Sequence, residues 1–155
     1  MQIGIDLGAT KIESVLLDQR GKELLREREK TPNSYDGTIE AIGNIVNLIE
    51  KKFNQSFNVG ICHPGSSIGD TGFIQNSNNS TWMNNKPFQK DISKKLNKTV
   101  YCENDANCFS LSEAVDGSAS HYKIVFGVIL GSGCGGGLVV DKKIISGSNN
   151  LSGEW

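Results

Sequence analysis

Asp105 lies in the stretch "YCENDANCF", Tyr101 to Phe109, which sets two acids and two amides in five consecutive positions between a β-branched run and a helix-like one. Two chemistries suit a carboxylate there. Asp and Asn side-chain oxygens cap helices by accepting the first orphan backbone N–H groups. A carboxylate at a strand end can also act as a general base toward a bound hydroxyl. The stretch alone leaves both readings open.

Two glycine turns supply the other chemistry. "DLGATK" joins two strand-like runs through Gly8, Ala9 and Thr10, so its backbone N–H groups and hydroxyl can face a phosphate. Asp6 at the preceding strand end could hold a magnesium ion through water, and Lys11 could add a point charge; a plain hairpin turn is the competing reading. In "GSGCGGG", five of seven residues are glycine, which permits a close backbone approach that side chains would forbid. Gly131, Gly133 and Gly136 match G-x-G-x-x-G, but a dinucleotide fingerprint passes from strand into helix. "LVVDKKIIS" instead reads as a strand broken by a charged turn, a hairpin. No G-x-x-x-x-G-K-[ST] occurs, so a P-loop is excluded as well.

The elements that must position these residues follow from periodicity. "QIGIDLG", "KIESVLLD" and "KELLREREKT" read as an antiparallel meander of three strands. Ile39, Ile42, Ile45, Val46, Ile49 and Phe53 mark one face of a helix over about 35–53. "FNVGIC" reads as a buried strand, His63 to about Lys86 as a loop-rich segment with a short strand at "GFIQ", and Pro87 to Leu96 as a second helix. "TVYCEN" is a further strand, and 106–115 a helix with Phe109, Leu111 and Val115 as its apolar contacts. Strands separated by helices require parallel crossovers, so the sheet is expected to be mixed.

"YKIVFGVIL" then starts the pattern again. A slide of 123 positions sets Gly4 on Gly127, Leu7 on Leu130, Gly8 on Gly131 and Asp18 on Asp141. The reading is an internal duplication whose second copy has received about 35 residues of the roughly 100 such a unit needs. The 155 residues are then expected to be part of a longer two-domain protein.

Composition narrows the function. The hydrophobic content of 37% and charged content of 21% place the chain among globular proteins. Sixteen basic against seventeen acidic side chains give a net charge of −1, which offers no broad basic surface for nucleic acid or anionic membrane and favours a small polar substrate. Neither a signal peptide nor a long apolar segment is visible, so a cytoplasmic location is expected. Cys62, Cys102, Cys108 and Cys134 form no C-x-x-C pair and read as buried, reduced thiols. His63 and His121 read as surface or loop histidines without a ligand role. Trp82 reads as core or pocket wall.

Taken in order, "IGIDLGATK", "HPG", "ENDAN", "GSGCGGG" and "SGEW" resemble the ROK family of sugar kinases, within the wider actin and hexokinase superfamily. The resemblance spans the whole chain. It implies an α/β fold: a ribonuclease H-like (actin-like ATPase) domain with a mixed sheet over 1–117, then the first strands of a second like domain over 118–155. It makes Asp105 the base for the attacking sugar hydroxyl and assigns Gly65, Asn78, Asn104 and Glu154 to the sugar. Gly8, Thr10, Lys11, Gly131, Ser132, Gly133, Gly135 and Gly136 are assigned to the phosphates of ATP, and Asp6 to indirect organisation of magnesium. Any zinc ligands would lie beyond Trp155.

"NSTWMNNKPFQKDIS" and "SEAVDG" look most like bacterial manno(fructo)kinases, which points first to fructose and then mannose, with N-acetylglucosamine kinases and glucokinases as the alternatives. Asn150 and Ser152 stand where the family customarily has glycine and alanine. A homodimer is the expected assembly of the full-length enzyme, and little turnover is expected from these residues alone. Sugar-responsive repressors of the family carry a helix-turn-helix ahead of the first phosphate motif; Met1 abuts that strand here, which disfavours such a role.

Overall fold

The computed structural model describes residues 1–131, 133–148 and 150–153, with Asp70 described in its backbone only. The meander is present as β1 (Gln2–Leu7), β2 (Lys11–Leu17) and β3 (Glu23–Lys30), each antiparallel to the next. The pairing sets Ile3 opposite Leu16 and Leu7 opposite Ile12, so the period of two delivers Ile3, Ile5, Leu7, Ile12 and Leu16 to one face, with Val15 on the other. At the edge, Arg26 and Arg28 pair with Glu13 on β2, and Arg26 also with Glu23. Charges of this kind keep an exposed strand from pairing with another chain.

The first helix, α1 (Tyr35–Phe53), covers the apolar face with Ile39, Ile42, Ile45, Val46 and Ile49. Ser34 caps it by accepting the Gly37 N–H at 3.2 Å, and Asn54 ends it in the left-handed region at φ 49°. Strand β4 (Asn58–His63) then enters parallel to β1. A small hairpin, β5 (Ser66–Ile68) and β6 (Phe73–Gln75), leads to α2 (Phe88–Leu96), which buries Phe88 and Ile92 beside α1. Strand β7 (Val100–Asn104) completes a mixed sheet of order β3-β2-β1-β4-β7.

From the end of β7 the chain passes directly into α3 (Asp105–Val115), which packs on a second sheet. That sheet is β8 (Ile124–Leu130), β9 (Cys134–Val140) and β10 (Lys143–Ile144), again an antiparallel meander. A shift of 123 carries β2 onto β9 residue for residue. The third strand follows an Asp-initiated turn in each copy: the Asp18 carboxylate accepts the N–H groups of Arg20 and Lys22, while Asp141 and Lys142 both take positive φ, 48° and 61°. The registers differ by one residue. Leu7 faces Ile12 in the first copy, whereas Leu130 faces Cys134 in the second.

Some expectations are corrected. The apolar contacts assigned to α3 are mostly outside: Phe109 and Val115 are exposed, and of the three only Leu111 packs on the second sheet. The buried face is instead small, Ala106, Asn107, Ser110 and Ala114, because it lies against Gly127 and Gly137 of β8 and β9. His63, expected at the surface or in a loop, ends β4 and is wholly buried with its ring edge-to-face on Phe88 at 5.7 Å. Burial pushes its imidazole below the usual histidine range. His121 is exposed, as expected. Cys62, Cys102 and Cys108 are only partly buried, and Cys134 is exposed; all four are free. Trp82 is partly buried against the main core. Among the described residues, no helix is long and apolar enough to cross a membrane.

Candidate active site

The ends of β1, β4 and β7 and the β8–β9 turn converge on one cleft of about 420 Å³. It is lined by Gly8 and Ala9, by Gly65 and Asn78, by Asn104 and Asp105, and by Gly131, Gly133 and Gly135. Residues distant in the sequence thus share one wall because β1, β4 and β7 run parallel and end at the same edge. A larger cavity of about 780 Å³ lies across the open face of the first sheet, over Gly4 and Gly60, and contains neither glycine turn. Asp6 borders that cavity. The cleft, with both turns and the carboxylate, is the candidate site.

The helix cap proves to be Asn104. Its Oδ1 accepts the N–H of Asn107 at 3.0 Å, in the usual geometry of an N-cap. Its Nδ2 donates to the Gly65 carbonyl at 2.9 Å and to Asp105 Oδ1 at 3.1 Å. Asp105 therefore occupies the first helical position and is not required as the cap. Its Oδ1 also accepts the Ala106 N–H at 2.8 Å. Burial holds the carboxyl above the usual aspartate range, and the nearby Asp6 charge adds to this; the Ala106 N–H and His63 oppose it in part. Replacing Asn104 with Ala is expected to cost about 1–2 kcal/mol, read as a lower urea midpoint in the complete protein.

Gly65 meets the helix start at a tight point. It has φ 78°, and a Cβ there would strike the backbone of Gln75 and Ser77. The Asn-rich loop behind it is fixed by Asn84, whose Oδ1 accepts the Ser77 N–H at 2.9 Å and whose Nδ2 donates to the Ser77 carbonyl at 3.3 Å. Asn76 and Asn79 line the cleft beside Asn78, a contribution the sequence did not single out. Leu151 lines it from the C-terminal loop, and Asn150 ties that loop down by donating to the Ser67 carbonyl at 2.7 Å. Asn150 has φ 57°, so an amide residue that tolerates the left-handed region occupies a glycine-like conformation.

The phosphate assignments are only partly gathered here. The glycine-rich run is mostly strand: β9 starts at Cys134, so the turn is confined to 131–133. Gly136 is buried in β9 opposite Val128, and Gly153 packs against its backbone. Lys11 is exposed at the start of β2, and neither it nor Thr10 lines the cleft. Asp6 is exposed at the end of β1 and accepts from the Cys62 thiol at 3.4 Å. Ser132 and Glu154 lie outside the described residues.

Each glycine turn is closed by its own backbone. The Gly8 N–H closes its own turn onto the Lys11 carbonyl at 2.9 Å, and the Gly131 N–H closes onto Gly133 at 2.9 Å. Of the described residues in and just after these turns, Gly8, Ala9, Gly131, Gly133 and Gly135 line the cleft. Asp6 is near enough for its charge to act on Asp105, a placement that suits a magnesium ion held mainly by phosphate oxygens. Among the described residues no group of three or more His, Cys, Asp or Glu could hold a metal by itself.

The model of the ROK family matches residues 2–155. The chain belongs to the ROK family. It is 41% identical to an N-acetyl-D-glucosamine kinase from Histophilus somni over 99% of this chain and 50% of that one. A second such kinase, from Mannheimia succiniciproducens, is 40% identical over 99% of this chain and 51% of its own length. Among solved structures, a ROK family glucokinase from Streptomyces griseus in complex with glucose and AMPPNP superposes with a TM-score of 0.88 at 26% identity, over 99% of this chain and 48% of that one. This ROK chain spans about half the length of the curated relatives it matches. The expected fold, an α/β domain of the actin-like ATPase type with a mixed sheet, is the fold observed.

Proposed function

We propose that the complete protein phosphorylates a hexose hydroxyl with ATP, and that N-acetyl-D-glucosamine is the preferred sugar. One observation carries the reaction type: the Asp105 carboxylate shares a single cleft with both glycine turns, and a separate residue caps its helix. Phosphoryl transfer requires the γ-phosphate and the attacking hydroxyl to be held in line while charge is neutralised. Magnesium, when bound, supplies part of that neutralisation.

In this reading, Asp105 accepts the hydroxyl proton as the new oxygen–phosphorus bond forms and the bond from the γ-phosphorus to ADP breaks, and Asn104 holds the carboxylate in place. Gly65, Asn78 and Glu154 belong to the sugar side, and residues 1–117 and 118–155 to the two lobes of the cleft.

The identity of the sugar rests on the relatives. The sequence segments pointed first to fructose, whereas curated relatives of 38–41% identity are N-acetyl-D-glucosamine kinases. A cleft rich in carboxamides, from Asn76, Asn78 and Asn79, offers partners to an acetamido group as well as to hydroxyls. A coupled assay of the complete protein with N-acetyl-D-glucosamine, fructose, mannose and glucose tests this. The expected result is the highest kcat/KM for N-acetyl-D-glucosamine; a higher value for fructose would restore the other reading.

A further inference from the structure

Thr31, just after β3, does not itself line the cleft, yet it is the residue that fixes the first glycine turn. It is 2% exposed, and its hydroxyl donates to the Gly8 carbonyl at 2.7 Å. Its own N–H donates to the Thr10 carbonyl at 3.1 Å. One residue thus holds both ends of the Ala9 link. Its freedom is limited in three ways: burial, β-branching and the following Pro32, which confines its backbone to extended conformations. On the other side, the Gly8 N–H is closed onto Lys11, and a Cβ at Gly8 would lie 3.0 Å from that carbonyl.

A trans peptide is planar, with its C=O and N–H pointing in opposite directions. No cis peptide occurs among the described residues. The hydroxyl that turns the Gly8 carbonyl toward Thr31 therefore turns the Ala9 N–H away from it. Gly8 and Ala9 line the cleft, whereas Thr31 does not. We propose that Thr31 is a positioning residue that presents the Ala9 N–H to a phosphate of the nucleotide. This rests on the kinase reading of the same cleft.

Without the hydroxyl, the Gly8–Ala9 peptide can rotate and take the donor out of line. Displacements of that size commonly cost on the order of tenfold to a hundredfold in reactions that depend on preorganised donors. The test compares Thr31→Val, which keeps the shape and loses the hydroxyl, with Thr31→Ser, which keeps the hydroxyl. In the complete protein, kcat/KM for ATP is expected to fall about tenfold or more in the Val variant, with KM for the sugar unchanged and the Ser variant restored. A residue that served stability alone would lower the melting temperature and leave kcat/KM for ATP intact.

The second measurement does not depend on turnover. The Ala9 amide resonance of the wild-type protein is followed while magnesium and AMPPNP are added, and it is expected to shift. A wild-type kinase whose Thr31→Val variant retains full kcat/KM for ATP overturns the inference, as does a Ser variant no better than Val. An Ala9 amide that does not respond to magnesium–AMPPNP overturns it too, even if the variants fail to fold. Absence of sugar phosphorylation in the wild type would instead count against the kinase reading.

Discussion

Asp105→Asn in the complete protein is expected to lose about 10²- to 10⁴-fold in turnover, the range typical for removal of a general base. The same variant should melt no lower than wild type at neutral pH. The cap is made by Asn104, which the substitution leaves in place. Moreover, the folded Asp105 carboxyl sits above its ordinary range, chiefly through burial. A raised acid binds its proton more tightly in the folded state, so its contribution to stability falls as pH rises from the unfolded to the folded pKa. Above that window the ionised side chain is a fixed disadvantage that a neutral amide escapes. Calorimetry is therefore expected to show a melting temperature equal to or slightly above wild type at pH 7, with the difference vanishing at low pH. The acid limb of the wild-type pH–rate profile should lie above the ordinary aspartate value for the same reason. Near-normal turnover in Asp105→Asn would remove the base assignment.

Gly137→Ala is expected to have the second largest effect, through packing. A Cβ at Gly137 would lie 2.5 Å from the Ala106 carbonyl oxygen and 2.5 Å from Ser110 Oγ. Ser110 is itself bound to Ala106, its hydroxyl donating to that carbonyl at 2.7 Å. The obstacle is helix backbone, which cannot swing aside as a flexible side chain can. Overpacking of this kind costs about 1–3 kcal/mol, and the upper end is expected here. Ala106 also follows Asp105 directly, so the displacement should lower turnover as well as the melting temperature. Gly60→Ala is the control, because nothing lies within 4 Å of a Cβ at that position. If Gly137→Ala melts with wild type, the close approach of α3 to β9 is wrong.

The elements were legible where periodicity is strong. The meander, α1 and the β8–β9 hairpin all follow from alternation or from three- and four-residue spacing, because a large apolar core selects those patterns. The core face of α3 was not legible: it is selected for smallness against glycines, and small residues carry no hydropathy signal. His63 was misread for a related reason, since a polar residue beside proline and glycine resembles loop although its strand carries it inward. At the site, Asp105 and Asn104 were found together, but which of them caps the helix depends on a one-residue phase that composition does not encode. Thr31 left no trace in the sequence, since its partner Gly8 is 23 positions away and is reached only through the β2–β3 pairing.

The one-residue offset between the two meanders makes their bends non-interchangeable parts. Replacing residues 8–10 with the three residues 131–133, with Lys11 retained, would set Lys11 opposite Leu7 and slip β2 against β1 by a single step. Side chains alternate, so the slip would turn Ile12 and Leu16 outward and bring Glu13 and Val15 beneath α1. A shared strand order therefore does not make the two meanders modular: each bend is matched to the helix that its sheet supports.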